Sequence, residues 1–201
     1  MTNESWYAVV DAACALTQGD FIFDCPLMGW KAETVDFDGQ DEEAVLKAAI
    51  QANEADVIVL TQACDLEQDR VANVILCPHL ALSAFREAWE SRLKEQDQYP
   101  STTGKLEKAW ANTCKDIRDG FVWNHAMLNH RLESPLSIEH RVVDFREVYT
   151  VPRSFLESFL HERGGQRLRL LPPYREHLSQ AFARFFMRVG LPTPVAAIWQ
   201  S

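Results

Sequence analysis

The chain has 201 residues, of which 47% are hydrophobic and 24% are charged, and this balance is typical of a soluble globular protein. The length fits a single domain that spans residues 1–201. No apolar run reaches the roughly 18 to 20 residues that a transmembrane helix needs. The beginning of the chain carries Glu4, Asp11 and Asp20 instead of the basic start of a signal peptide. We therefore expect a cytoplasmic protein without a membrane segment.

The formal net charge of −9 is unevenly distributed along the chain. Residues 1–70 hold 3 basic and 15 acidic side chains, residues 71–151 hold 10 and 11, and residues 152–201 hold 7 and 3. An acidic protein is a poor non-specific binder of nucleic acid, because contacts to phosphates dominate that affinity. The arginine-rich final segment suits an anion or an acidic partner, and it suits the acidic first segment of the same chain equally well.

The first third of the chain is predicted to contain strands and one helix. Residues 8–16 suit a short helix or a strand, because their periodicity favours neither. The turn signal "TQGD" precedes the strand "FIFDCP", which we expect to close at Pro26. Asp41 and the glutamates after it predict a helix over residues 41–53. The segments "DVIVLTQ" and "VANVILCP" predict two buried strands joined by the hairpin connection "ACDLEQDR".

A helical hairpin is predicted over residues 80–120, as an insertion into a β-rich domain. Apolar residues at helical spacing mark its two arms, which are Leu82, Phe85, Trp89 and Leu93 in the first and Leu106, Trp110, Cys114 and Ile117 in the second. The loop "DQYPSTTG" lies between them.

The remainder of the chain predicts further strands and two helices. The strands are "HAMLNH", "SIEHRVVDFREVYTVP" and an edge strand "QRLRLL". The helix "RSFLESFLHER" stops at a glycine pair, and the last helix runs from about Tyr174 to Val189. Strands followed by helices favour an α+β fold over a doubly wound sheet. We expect a small, strongly bent sheet or barrel that carries the helical hairpin and a C-terminal helix.

This order of elements resembles the SH3-like barrel of MazF/PemK-type toxins. The counterparts of that family's strands are "QGDFIFDCP", "ADVIVLTQ", "VANVILCP" and "RVVDFREVYTV", followed by "RLRLLPPYREHLSQAFARFF" for its last strand and helix. The "QGD" and "TQACDL" patterns are also similar to those of a group of uncharacterised bacterial proteins. The resemblance implies a bacterial protein of a toxin–antitoxin or phage-defence system.

The chain departs from the toxin family at the positions that carry its chemistry. The family cleaves RNA with an arginine before the second strand and a Ser or Thr on the third. Here Asp56 stands in the arginine region, and Cys77-Pro78 stands near the Ser/Thr position. An acid at the place of a cation works against stabilising the transition state at phosphorus.

The stretch "TQACDL" places Gln62, Cys64 and Asp65 where a buried strand reaches the surface. These three residues form the candidate catalytic group. A nucleophilic cysteine needs a pKa lowered by a histidine, a cation or a helix N-terminus, and His79 and His125 are the candidate bases. The alternative is a small buried thiol at a strand end, with Asp65 capping the turn.

Four arginines of the final segment form the candidate anion-binding set. Arg167 and Arg169 lie two apart on a strand and therefore share a face. Arg184 and Arg188 lie four apart on a helix and share a face as well. The alternative is a surface on which these arginines form salt bridges with the acidic first third of the chain.

The cysteines and histidines predict no metal site and no cofactor. The five cysteines are odd in number and irregularly spaced, without a CxxC pair, which favours free thiols over a disulfide framework. Zinc needs about four converging ligands. Only Cys77 and His79 are close in sequence, and Pro78 between them fits the end of a strand.

The sequence favours a non-catalytic binding or regulatory module with a protein partner. The helical spacing of the tail aromatics favours core positions for most of them, whereas the adjacent Phe185 and Phe186, together with Trp199, also suit a partner contact or a homodimer. Two alternatives stay open. One is a divergent ribonuclease or cysteine-dependent hydrolase centred on Cys64, and the other is a nucleic-acid-binding module that uses the C-terminal arginines.

Overall fold

The fold is α+β, as predicted, in a computed structural model that describes residues 5–31 and 41–187. The strands of these residues are β1 (Tyr7–Asp11), β2 (Phe21–Trp30), β3 (Ile50–Val59), β4 (Asn73–Ala81), β5 (His125–Leu128), β6 (Arg141–Asp144), β7 (Tyr149–Pro152) and β8 (Gln166–Leu170). The helices are α1 (Glu42–Ala49), α2 (Ala63–Glu67), α3 (Leu82–Glu95), α4 (Thr103–Arg118), α5 (Arg153–Arg163) and α6 (Tyr174–Phe186).

Antiparallel pairing builds a six-stranded sheet and a two-stranded ribbon, and neither is closed into a barrel by the described strands. The sheet has the order β2-β3-β4-β6-β5, and β7 pairs with the first half of β4. The ribbon pairs β1 with β8, and an isolated bridge between Asp20 and Arg169 joins it to the start of β2.

Strand β2 continues beyond Pro26, where the sequence predicts its end. The Lys31 N–H donates to the Ala49 carbonyl at 2.8 Å, and these two residues continue the register that pairs Trp30 with Ile50. In an antiparallel ladder, hydrogen-bonded positions alternate, so the backbone groups of Pro26 point away from β3. Proline is tolerated there because no ladder bond needs its missing N–H. The longer β2 recruits residues 50–55 into β3, and α1 therefore ends at Ala49 rather than near residue 53.

Two other segments also differ from their predicted form. The connection between β3 and β4 contains the short helix α2, because Leu66 is buried and draws this segment onto the core. The single strand predicted before α5 is two strands, β6 and β7, which pair with the end and the start of β4 respectively. Between them the chain leaves the sheet at Phe145, whose side chain is buried.

The two arms of the predicted helical hairpin are present as α3 and α4. The Trp110 ring of α4 lies 6.2 Å from the Phe85 ring and 5.3 Å from the Trp89 ring of α3, measured between ring centroids. Phe85 also shares a small core with Ile117 and Val142. This core fastens both helices to β6 at one end of the sheet.

The sheet separates two larger cores. One core lies between the sheet and the β1–β8 ribbon, where α6 contributes Leu178 and the partly buried Phe182. The other core lies on the opposite face, where α2 and α5 contribute Leu66 and Leu156. Alternating residues of β3 supply the two cores, with Ile58 on the first side and Val57 on the second.

A buried ion cluster fixes the ribbon to the sheet. Asp20 is 0% exposed, and its carboxylate accepts from Arg167 Nε at 2.8 Å and from Arg169 Nε at 2.5 Å. The backbone N–H of Thr17 donates to the same carboxylate at 3.1 Å. Arg167 also donates to the carbonyls of Asp11 and Cys14. One carboxylate therefore binds two residues of β8 and the turn that starts β2.

Substituting Asp20 with Asn should lower the free energy of unfolding by about 3 kcal/mol or more, because two largely buried guanidinium groups then lack their counter-charge. Urea unfolding of the wild type and Asp20→Asn measures this difference. The control is Glu43→Gln, which removes an exposed carboxylate from its pair with Lys47 and should change stability little. Equal midpoints for both variants would contradict the proposed role of Asp20.

Candidate functional site

Gln62, Cys64 and Asp65 lie at the exit of β3, on the cap and first turn of α2. The Cys64 thiol is exposed, and it lies 3.7 Å from Gln62 Oε1 and 3.9 Å from Asp65 Oδ1. Both neighbouring atoms are hydrogen-bond acceptors. Within the described residues, no histidine and no cation hydrogen-bonds to this thiol. Among the described residues, the thiol therefore has no hydrogen-bonded base or cation, although it lies in the first turn of the short helix α2.

His79, a candidate base and metal ligand, is a core residue with 1% exposure. Its Nδ1 accepts from Arg141 Nε at 3.0 Å, and the Phe21 ring lies 5.0 Å from its ring. Burial, together with the adjacent Arg141 charge, lowers the pKa of His79 to about 3. The imidazole is therefore neutral at physiological pH and positions Arg141.

Asp56, which the sequence predicts to stand in the toxin family's arginine region, is paired with an arginine from another strand. Arg141 Nη2 donates to Asp56 Oδ2, and the Arg141 guanidinium lies 5.4 Å from the centre of the Phe23 ring. Asp56 Oδ1 accepts from the backbone N–H of Asp24 at 3.0 Å. Arg141 thus supplies a cation in this region, but this cation is already held in the ion pair with Asp56, which stabilises the fold. No motif around Arg141 indicates this contact, because 85 positions separate the partners.

Cys77 lies beside His79 in the first core and is fully buried. Burial, with a smaller effect of Asp144, raises the pKa of the Cys77 thiol to about 12. The side chains of the described residues form no group of three or more His, Cys, Asp or Glu able to hold a metal ion.

The candidate anion-binding arginines have different surroundings. Arg167 and Arg169 share a face, as predicted, and both bind Asp20 inside the protein. The Arg184 guanidinium lies 5.7 Å from the centre of the Trp123 ring. Arg188 lies outside the described residues. Salt bridges within the chain, the alternative stated in the sequence analysis, therefore account for the contacts of Arg167 and Arg169.

Other C-terminal arginines also contact acids from the first third of the chain. Arg153 donates to Asp69 at 2.9 Å, and Arg163 donates to Asp24 at 3.2 Å. The uneven charge distribution along the sequence therefore becomes a set of ion pairs between the two ends of the chain.

An uncharged groove lies between the outer part of the β2–β3 hairpin and β7. It has a volume of about 680 Å³ and is larger than the other described cavities. Met28 and Trp30 on its β2 side are each 67% exposed, and Phe155 on its opposite side is 44% exposed. Its lining residues are Pro26, Leu27, Met28, Gly29, Trp30, Ala52, Asn53, Val148, Tyr149, Thr150, Val151, Pro152 and Phe155.

The β2 edge of the groove has backbone groups that pair with no other described strand. Because Lys31 and Ala49 form a hydrogen-bonded pair, the same holds for every second residue of β2 back to Cys25, where the register shifts. Gly29 and Leu27 therefore bond to β3, whereas the N–H and C=O groups of Met28 and Trp30 face away from it.

The β7 edge of the groove has the same arrangement. The Arg153 N–H donates to the Ala72 carbonyl, and these residues continue the register between β7 and β4. The backbone groups of Thr150 and the carbonyl of Pro152 therefore face away from β4. We call these two open edges, of β2 and β7, the groove edges. Sequence patterning missed the β2 edge because it predicted the end of β2 at Pro26, and it missed the β7 edge because it predicted one strand where β6 and β7 form two.

No protein-family model matches this chain, and no curated protein matches it. The resemblance to MazF/PemK-type toxins thus stays a prediction from the sequence. In the described ranges, no helix has the length and apolar character needed to cross a membrane.

The five cysteines are free, and they should differ sharply in reactivity. Iodoacetamide at neutral pH should modify the exposed Cys14 and Cys64 in the folded protein. Cys77 and Cys25 should react only after unfolding, because both are buried and burial raises the pKa of Cys25 to about 11. Peptide mapping by mass spectrometry identifies which cysteines have been modified. Rapid modification of Cys25 or Cys77 in the native protein would contradict the described core.

His79 should make the folded protein sensitive to mild acid. It stays neutral in the folded state, whereas an unfolded histidine takes up a proton near its ordinary pKa of about 6.5. The unfolded state therefore binds more protons below that pH, and stability falls as the pH drops from about 6.5 towards 3, by at most about 1.4 kcal/mol per pH unit.

Urea unfolding at pH 6.5 and pH 5 should show this loss in the wild type. His79→Gln, which keeps an acceptor for Arg141, should have a shallower slope. The control is His161→Gln, which changes an exposed histidine. Equal slopes for the wild type and His79→Gln would rule out His79 as the source.

Proposed function

We propose that the chain is a non-catalytic binding module that docks an extended, uncharged segment of a partner protein in the groove. The observation that carries this proposal is the coincidence of exposed apolar side chains with unpaired strand edges at one place. A bound segment in β conformation would satisfy both, since its backbone pairs with an edge and its alternate side chains pack on the groove.

The groove edges favour a specific segment over indiscriminate strand pairing. Unpaired edges invite association with other chains, and proteins restrict this with prolines at the edge. Pro26 and Pro152 each remove one outward donor, which leaves the N–H groups of Met28, Trp30 and Thr150. A partner segment must therefore place its carbonyl groups opposite these three donors.

Charge favours a protein segment over a nucleic acid. No residue that lines the groove carries a formal charge, whereas nucleic-acid binding depends on contacts between cations and phosphates. Arg167 and Arg169 are held by Asp20 inside the protein. The partner segment is therefore expected to be apolar and without charged residues where it enters the groove.

The proposed finer architecture is an SH3-like sheet that is open between β2 and β7. Strand β4 pairs with β3 on one edge and with β6 and β7 on the other, and β2 bends at an irregularity between Ile22 and Cys25. The groove occupies the side that such a sheet would need to close. A cytoplasmic role in a bacterial toxin–antitoxin or phage-defence system remains a proposal from the sequence.

Selection of a random peptide library displayed on phage, with peptides of about twelve residues, tests the proposal. The enriched peptides should carry apolar residues at alternate positions. When synthesised, they should bind Phe155→Glu at least about tenfold more weakly than the wild type, because the variant places a carboxylate in the groove. Backbone N-methylation at alternate residues of the peptide should also weaken binding.

The matched control is Leu132→Glu, which adds a carboxylate at a residue that is 76% exposed and outside the groove. It should bind the enriched peptides as the wild type does. Equal affinities for the two variants, or no enriched peptide, would contradict the proposal. A peptide-sensitive dimer of the chain alone would identify a second copy, instead of a partner protein, as the occupant.

A further inference from the structure

A second cavity, of about 300 Å³, lies between helix α3 and the β3–β4–β6 part of the sheet. Its apolar wall includes Leu80 of β4, Phe85 of α3 and Val142 of β6. Trp89 and Arg92 of α3 line it from one side. We call this cavity the α3 pocket. It is separate from the groove, because the two cavities share no lining residue.

Arg92 is a cation without a counter-charge in the described part of the chain. Its guanidinium makes no ion pair and no hydrogen bond with another described residue, although α3 carries the paired Arg86 one turn and a half before it. Trp89 lies one turn before Arg92, and its ring contacts Trp110 at 5.3 Å. The pocket thus combines the indole ring of Trp89 with the unpaired guanidinium of Arg92.

One of the two acids that line the pocket, Asp144, already has its charge balanced. Asp144 Oδ2 lies 3.4 Å from His125 Nε2, and Arg146 Nε donates to Asp144 Oδ1 at 3.0 Å. Burial would raise the pKa of Asp144, but the hydrogen bonds from His125 and Arg146 hold it well below its usual range. These contacts also fix Arg146 at the pocket, where its Nη1 has no hydrogen bond to another described residue.

We infer that the α3 pocket binds a small planar molecule that carries one anionic group. The ring would lie against Trp89 and the apolar wall, and the carboxylate or phosphate would accept from Arg92 and from Nη1 of Arg146. Arginine suits this task because its planar fork matches both anions. A volume of about 300 Å³ is at the lower end for a small-molecule site, so the ligand has few rings.

Glu147 also lines the pocket, and its negative charge acts on a bound anion in the opposite sense to that of Arg92. Its carboxylate accepts from the Tyr149 hydroxyl at 3.4 Å and has no arginine partner among the described residues. A bound anion would be repelled by this carboxylate. Removing the charge of Glu147 should therefore strengthen anion binding, whereas removing the charge of Arg92 should weaken it.

An NMR titration that follows the indole N–H signal of Trp89 tests the inference, with 1-naphthoate and adenosine 5′-monophosphate as the two probes. At least one probe should bind saturably, and 1-naphthalenemethanol should bind about tenfold more weakly than 1-naphthoate. If only the nucleotide binds, the pocket takes a phosphate. If only 1-naphthoate binds, it takes a carboxylate.

For the probe that binds, Arg92→Ala should raise the Kd about tenfold and Glu147→Gln should lower it several-fold. The control is Arg118→Ala, which removes an exposed arginine of α4 that bonds to Asp119. Phe155→Glu in the groove should leave the Kd unchanged, which separates this test from that of the peptide groove. Saturable binding of neither probe, or equal Kd values for Arg92→Ala and Arg118→Ala, would overturn the inference.

Discussion

The Asp20 carboxylate between Arg167 and Arg169 is the interaction on which the rest of this structure depends. It joins residues that lie almost 150 positions apart, and it fixes the last strand of the fold to the start of β2. This cluster helps to hold the β1–β8 ribbon against the sheet, where the ribbon covers the first core. A buried charge of this kind is costly unless it is fully hydrogen-bonded, and the Thr17 N–H and both guanidinium groups meet that condition.

Two further acid–arginine pairs shape β2 and bear on the groove. Asp24 has a φ of 45°, and Arg163 contacts its carboxylate while Asp56 accepts from its N–H. Arg141 then holds Asp56. Beyond the irregularity at Asp24, the outer half of β2 pairs with β3 alone among the described strands. These ion pairs therefore lie next to the uncharged edge where we place the binding function.

Much of this fold follows from local patterns, whereas the candidate sites do not. Buried strands such as "DVIVL" and helices with apolar stripes can be predicted because each depends on neighbouring residues. The position of Cys64 at a strand exit was predictable for the same reason. Whether a base lies beside it depends on where distant residues fold, and none of the described residues supplies one by a hydrogen bond. The role of Pro26 was not predictable, since proline ends a strand or lies at its outer edge according to which side of the strand pairs.

The central claim is that the β2 edge is open in the free protein and pairs with a bound segment. Amide hydrogen exchange measured residue by residue tests it most directly. The account predicts slow exchange at Leu27 and Gly29, fast exchange at Met28 and Trp30, and protection of the latter two when a selected peptide binds. Protection of Met28 and Trp30 in the free protein, or no change on peptide binding, would contradict the account.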